Sequence, residues 1–381
     1  MALKIARRAA IAPFIVMDVL RAANERAAAG ADVLHLEIGQ PGTPAPLGVR
    51  EAARRALESD PLGYTETLGL PALREAIARH YRDTYGVGVD PARIVVTTGS
   101  SAGFILAFLA GFEPGDRVAL ATPGYPAYRN ILTALDLVPV ELETGPADRF
   151  QPSVEMLRRE RGLAGLIVAS PANPTGTMID AAALAALARY CAEAGIRLVS
   201  DEIYHGITYG ARAATALAAS DSAIVINSFS KYFSMTGWRI GWMVVPADMV
   251  RPIECLAQNL FIAPPSLSQH AALAAFSCHD ELRSYVARYA ENRALLLEEL
   301  PKAGFERIAP ADGAFYLYAD IAHLTNDSSE FCRRMLREVG VAATPGIDFD
   351  PARGSRTLRL CFAGDSATIA EAARRLRDWR R

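Results

Sequence analysis

The chain has 381 residues, 51% of them hydrophobic and 22% charged, with Lys+Arg 40 against Asp+Glu 42. At roughly 100–200 residues per domain this length gives about two domains whose cores need no disulfide staples, which excludes a disordered or fibrous chain. A formal charge of −2 leaves no surplus of cations to track a phosphate backbone, so no nucleic-acid partner is expected, and the longest apolar run, 102–112, is shorter than the ~18 residues of a membrane helix.

At the N-terminus Lys4, Arg7 and Arg8 precede an apolar stretch, 11–17, that superficially resembles a secretory signal. Pro13, Asp18, Arg21, Glu25 and Arg26 instead fit a loop leading into a charged helix. From about Arg93 onward, short β-branched runs alternate with helical patterns, the pattern of βαβ units around a mainly parallel sheet. The expected strands are 94–97, 117–121, 166–169, 197–200 and 224–228, with a further candidate at 241–245. A helix is expected over 101–112 with serine at its N-cap, and another over 180–194, opened by Asp180 and stopped by Gly195. From about Cys278 the texture changes to a long charged helix over 280–300 ending before Pro301. A strand-like 313–320, a helix over 328–339, a strand over 357–362 and a final charged helix from Ser366 follow. The expected fold is therefore α/β: an N-terminal arm over 1–45 that joins a small domain, a large domain with a mainly parallel sheet flanked by helices over 46–277, and a smaller α+β domain over 278–381. The five cysteines, Cys191, Cys255, Cys278, Cys332 and Cys361, are scattered and lack metal-ligand spacing, so no metal is expected and buried thiols in a reducing, cytoplasmic setting are.

Parallel sheets place ligands at the carboxyl ends of their strands. After the first expected strand come Gly99, Ser100, Ser101 and Ala102, free backbone N–H groups and hydroxyls opening a helix, a seat for phosphate. After the second comes a Pro-Gly-Tyr-Pro turn presenting Tyr125, and after the third a stiff turn that holds the amide of Asn173 before Pro174. The fourth strand runs straight into Asp201-Glu202-Ile203-Tyr204. A carboxylate at the end of an apolar strand must be solvated or must face a cation. The fifth ends in Ser228-Phe229-Ser230-Lys231, with Arg239 eight residues on. Lys231 stands out further: only Lys4, Lys231 and Lys302 are lysine, all other cations being arginine, and lysine alone offers an amine that can lose its proton and attack a carbonyl. Together these groups fit a phosphorylated pyridine aldehyde: an amine for the aldehyde, a carboxylate for the ring nitrogen, and serines with a bidentate arginine for the phosphate.

From about Leu36 to Arg377 the sequence resembles the fold-type I, class I/II aminotransferases that use pyridoxal 5′-phosphate. The resemblance rests on Ser228-Phe229-Ser230-Lys231 through Met235-Thr236-Gly237-Trp238-Arg239-Ile240-Gly241, on Asn173-Pro174-Thr175-Gly176 and on Asp201-Glu202-Ile203-Tyr204. It implies that Lys231 joins the cofactor as a Schiff base and later shuttles a proton. Asp201 would pair with the ring nitrogen, Asn173 and Tyr204 would bond the ring's phenolic oxygen, and Tyr125 would stack on the ring. Ser228, Ser230, Arg239 and the backbone at Ser100, Ser101 and Ala102 would bind phosphate. Tyr64 would reach the phosphate of the neighbouring subunit, making a homodimer with shared sites. Arg359, on the face of its strand opposite the leucines, and Gly39 would grip the α-carboxylate of the amino acid. The only departure lies at Ser100-Ser101, one variant of a loop that differs widely within the family.

The implied activity is amino transfer between an L-amino acid and a 2-oxo acid in a ping-pong cycle. A C–S β-lyase or related elimination enzyme shares the same cofactor residues and is the alternative. A sensor domain of a transcription regulator would carry a DNA-binding module ahead of the resemblance, and the residues before Leu36 are too few for one. The donor is left open, because arginines are too plentiful to single out one for a second carboxylate, and Ile15, Val16 and other apolar residues near the N-terminus are candidates to line an entrance.

Overall fold

The computed structural model describes residues 3–379, so the first two residues of the expected arm and the last two of the expected C-terminal domain lie outside the described residues. The chain opens with α1 (Ile15–Ala28), β1 (Leu34–His35), α2 (Leu47–Ser59) and α3 (Pro71–Tyr85). It then alternates through β2 (Ile94–Thr97), α4 (Gly99–Gly111), β3 (Arg117–Thr122), α5 (Pro126–Ala134), β4 (Val138–Glu143), α6 (Val154–Arg159), β5 (Leu163–Ala169), α7 (Ala181–Ala194), β6 (Arg197–Asp201), β7 (Ile224–Ser228) and β8 (Gly241–Val244). Helices α8 (Val250–Leu260), α9 (Ser266–Ala275) and α10 (His279–Lys302) lead to β9 (Arg307–Ile308), β10 (Tyr316–Asp320), α11 (Ser328–Val339), β11 (Val341–Ala342), β12 (Thr344–Pro345), β13 (Thr357–Cys361) and α12 (Ser366–Asp378).

Strands β2 to β8 form one 7-stranded sheet in the order β2-β8-β7-β6-β5-β3-β4. Every neighbour from β7 to β4 pairs in parallel, while β8 runs antiparallel to both β2 and β7. The strands carry apolar residues on both faces, as a sheet covered on two sides requires. Val96, Leu166, Val168, Val225 and Trp242 pack on one side with α3, α7 and α9, and Val95, Ile167, Val199, Ile226 and Met243 on the other with α4, α5 and α8. A second, 4-stranded antiparallel sheet, β12-β13-β10-β9, shares a core with α10, α11 and α12. The N-terminal segment joins this second unit, because β1 pairs in parallel with β11.

Several boundaries differ from expectation. Helix α4 begins at Gly99 rather than Ser101, and Thr98, not a serine, is its N-cap, without a side-chain bond, so Ser100 and Ser101 lie inside the first turn. Helix α10 runs through Pro301: a proline in the last turn removes only one hydrogen bond, and Ala303 N–H still closes on Glu299 and Leu300. Of the strand-like 313–320 only Tyr316–Asp320 is laddered, Gly313 making an isolated bridge to Thr208. The edge strand β4 was not expected, its pattern being interrupted by Pro139, which an edge position tolerates. All five cysteines are free, and Cys255 and Cys278 are half-buried rather than buried. Among the described residues no helix is long and apolar enough to cross a membrane, and no group of three or more His, Cys, Asp or Glu could hold a metal.

Candidate active site

The sheet register explains why distant sequence segments meet. Thr97 and Ser228 both pair with Gly241, and Ala169 pairs with Asp201, so these strands end in a common row. Because β8 is antiparallel, its amino end lies at the carboxyl ends of its neighbours, and Arg239 just ahead of it joins the residues that follow β2 and β7. One cavity at this edge is lined by Gly39, Ser100, Ser101, Tyr125, Asn173, Asp201, Tyr204, Ser230, Lys231, Arg239 and Arg359. Three expected residues are placed elsewhere. Ser228 is buried behind Ser230, to whose hydroxyl its own donates at 2.8 Å. The Ala102 side chain is buried in the α4 packing and leaves untouched the role expected of its backbone N–H near the helix start, and Tyr64 is 86% exposed on the surface.

Asp201 is buried and, among the described residues, in no salt bridge, so it meets neither expected alternative, a solvated carboxylate or one facing a cation. It accepts from the Tyr128 hydroxyl and from Ile203 N–H at 3.0 Å, and no cation touches it. Burial raises its pKa from 3.8 to about 6, against the opposing pull of those two hydrogen bonds and of the Lys231 charge. This buried carboxylate at the cavity has no salt-bridge partner among the described residues. Lys231 is half-buried at the cavity and donates to Gly39 carbonyl. Burial, assisted by the charges of Arg359 and Arg239 and opposed by Cys361 and Asp201, brings its pKa down from 10.5 to about 8.

Ser230, Thr236 and Arg239 converge on the first turn of α4. Ser230 N–H donates to Ser228 Oγ at 3.0 Å, Thr236 Oγ1 to Ser230 carbonyl at 2.8 Å, and Arg239 Nη1 to Thr236 carbonyl at 3.1 Å. Gly99 has φ +73°, and a Cβ there would lie 2.5 Å from Arg239 Nη2, so only glycine lets the guanidinium approach this helix start. Free N–H groups, hydroxyls and an arginine thus share one corner, a cradle for a phosphate dianion.

Across the cavity, Arg359 is 2% exposed and lies between the rings of Tyr316 and Phe349, 4.4 Å and 4.8 Å from their centroids. It donates to Asn173 Oδ1 at 2.8 Å, to Thr344 Oγ1 at 3.2 Å and to Glu37 carbonyl, while its buried Nε has no partner among the described residues. The Tyr204 hydroxyl pairs with that of Tyr316 at 2.6 Å. A Cβ on Gly39 would lie 2.0 Å from Tyr316 Oη, so this position too excludes any side chain. Phe14, Val16, Met17 and Ile38 give the cavity an apolar end. Ile15, expected there with Val16, is not among the lining residues. Tyr128 and Tyr316 had not been anticipated. Tyr128 could have been found three residues after Tyr125, on the same helical face, whereas nothing in the sequence around Tyr316 marks it as a site residue.

This donor set was compared with the needs of pyridoxal 5′-phosphate. A buried anion without a cation, an amine with lowered pKa and a cationic N–H cradle are the three groups that a protonated pyridine, an aldehyde and a phosphate require, so the residues present fit the cofactor.

Comparison with known proteins agrees. The family model described as aminotransferase class I and II matches residues 31–376. The chain is 51% identical over 381 residues to a valine–pyruvate aminotransferase of Mycobacterium tuberculosis, covering 99% of this chain and 98% of that protein. An aminotransferase structure from the same organism superimposes with a TM-score of 0.97 at 51% identity, covering 99% of both chains. A structure from Silicibacter pomeroyi, described as a putative aminotransferase, gives 0.94 at 55% identity, again over 99% of both.

Proposed function

Because the chain belongs to the class I and II aminotransferases, pyridoxal-phosphate enzymes that move an amino group between an amino acid and a 2-oxo acid, we propose that it takes a neutral amino acid with a small branched side chain as donor, valine for example, and pyruvate as acceptor. The observation that carries this is the cavity lining. Its cations are Lys231, Arg239 and Arg359, each with a task at cofactor or α-carboxylate, so none is spare for a second carboxylate, and the remaining wall is apolar at Phe14, Val16, Met17 and Ile38. The valine–pyruvate activity of the Mycobacterium tuberculosis relative supports the same choice.

When bound, pyridoxal 5′-phosphate supplies an aldehyde carbon for amines and an electron-withdrawing ring. Lys231, with its pKa near 8, carries a useful fraction of neutral amine near neutral pH, so it would be the residue that holds the aldehyde carbon and the base that would take the proton from the substrate Cα and return it. Asp201 keeps the proton on the ring nitrogen, and its burial strengthens that charge pairing. Asn173 and Tyr204 would hold the phenolic oxygen, and Tyr125 would cover the ring. Ser230 and Arg239 hold the phosphate with the N–H groups at Ser100, Ser101 and Ala102, while Ser228 orients the Ser230 hydroxyl. Arg359 and Gly39 fix the α-carboxylate and so the direction of the Cα–H bond. Residues 46–277 form the cofactor domain and 278–381 the smaller domain, with 1–45 as an arm to it, a division supported by hydrophobic cores that are separate apart from Ala45, Tyr204, Ile207 and Leu282, which pack across these bounds. The protein acts as a cytoplasmic homodimer in which Tyr64, 86% exposed on the single chain, reaches the partner's phosphate.

The test is a half-reaction assay. Mixing the holoenzyme with single donors, valine and alanine shift the cofactor absorbance to the amino form and pyruvate restores it, with aspartate at least roughly tenfold slower, the cost of burying an unpaired carboxylate. A faster reaction with aspartate than with valine overturns the neutral-donor assignment.

A further inference from the structure

Asp348 has no place among the groups that hold cofactor or α-carboxylate, yet it is 2% exposed and fully engaged. Its two carboxylate oxygens accept from the first backbone N–H groups of α1: Ile15 to Oδ1 at 3.0 Å and Val16 to Oδ2 at 3.2 Å. The first N–H groups of any helix lack intrahelical partners. Phe14, the N-cap of α1, supplies no side-chain acceptor, so an acid from the far end of the sequence fills that role.

Both sides of this contact lead to the cavity. Phe14 and Val16 flank the capped turn and line the cavity, and the Phe14 ring meets Tyr125 edge-on with centroids 5.7 Å apart. Asp348 itself is anchored, its carbonyl accepting from Arg129 Nη2 at 3.2 Å, and the next residue, Phe349, packs on the Arg359 guanidinium. Among the described residues, the large sheet's side otherwise holds the chain just ahead of α1 by one long hydrogen bond, Asn130 Nδ2 to Ala12 carbonyl at 3.4 Å, and by an exposed ion pair, Arg8 to Asp136 at 3.6 Å. Further along, α1 is held separately at Ala23, which packs with Leu336 and Ala342. Losing the carboxylate would therefore free the first turn while leaving the rest of the helix docked.

The geometry points to Asp348 as a positioning residue that sets donor specificity: by capping α1 it fixes the apolar wall of Phe14 and Val16 against which the donor side chain packs. This rests on the neutral-donor assignment above. A branched side chain reaches that wall, whereas the methyl of alanine stays near Cα, so the two donors separate wall from chemistry.

The experiment compares parent holoenzyme with Asp348→Asn, nearly isosteric and keeping one acceptor, and Asp348→Ala. The expected result is a KM for valine raised roughly tenfold in Asp348→Ala, and less in Asp348→Asn, the worth of one charge-assisted hydrogen bond. The valine kcat, the alanine kcat/KM and the cofactor absorbance should each stay within about twofold of parent. Amide hydrogen exchange at Ile15 and Val16 should speed up in both variants, while exchange around the docked Ala23 stays at the parent rate. Equal losses for valine and alanine, or a fall confined to kcat, overturn the proposal. Should the parent not use valine, the donor assignment fails on its own account, and unchanged exchange at Ile15 and Val16 would then overturn the capping role while faster exchange there would uphold it.

Discussion

On the side of the cavity formed by the large sheet, the polar groups sit within a few residues of strand ends, and a shared register row of Thr97, Ser228 and Gly241 brings them together. On the opposite side, Val16, Gly39, Tyr316, Asp348 and Arg359 come from separate segments that meet only because β1 pairs with β11, β10 with β13, and Asp348 with the start of α1. The first side is a consequence of local topology and the second of long-range packing. The division of labour follows the same line: the sheet side presents a buried anion, an amine and a phosphate cradle, and the other side presents a caged guanidinium and apolar surface.

If the two sides work as assigned, variants on them fail in different kinetic constants. The larger effect belongs to Asp201→Asn, where an uncharged amide no longer holds the ring proton. Steady-state kinetics should show kcat lowered roughly a thousandfold, with the donor KM changed far less. The same variant has a signature without cofactor. In the folded apoprotein Asp201 titrates at about 6 rather than 3.8, so the folded state binds the extra proton between those values. Its contribution to stability is present at acid pH and is lost as pH rises through about 6, and Asp201→Asn should flatten that part of the apoprotein Tm–pH curve. The smaller effect belongs to Arg359→Lys, since lysine cannot make the planar two-pronged contact. There the KM for donor and 2-oxo acid should rise roughly thirtyfold, with cofactor absorbance intact. A parallel fall of kcat and rise of KM in both variants would erase the distinction between the two sides.

The two sides also differ in how much of them a sequence reveals. Lys231 was conspicuous because the chain otherwise uses arginine almost throughout, and Asp201, Asn173 and Ser230 because each lies at the end of an apolar strand or in the turn that follows it. The strands of the large sheet were legible from β-branched runs, except β4, where Pro139 breaks the pattern, whereas the two-residue strands β1, β9, β11 and β12 are too short to leave one. Arg359 was found by resemblance; as a single arginine in a strand it gave no sign that two aromatic rings would enclose it. Tyr316 and Asp348 gave no sign either, since their partners at Tyr204 and Val16 lie 112 and 332 residues away. Residues whose role depends on a neighbour that far along the chain carry no local periodicity, and only the packed structure identifies them.

The central claim is that the amine at position 231 is the nucleophile, tuned by burial. Its direct measurement is the rate of covalent capture of pyridoxal 5′-phosphate by the cofactor-free protein across pH, with the attached residue identified by reduction and peptide mapping. Because the neutral amine attacks and burial has lowered its pKa, attachment is predicted at Lys231, with a rate that rises through about 8 and levels off above it. Attachment at Lys4 or Lys302, or a rate still climbing toward the ordinary lysine value of 10.5, would contradict the account.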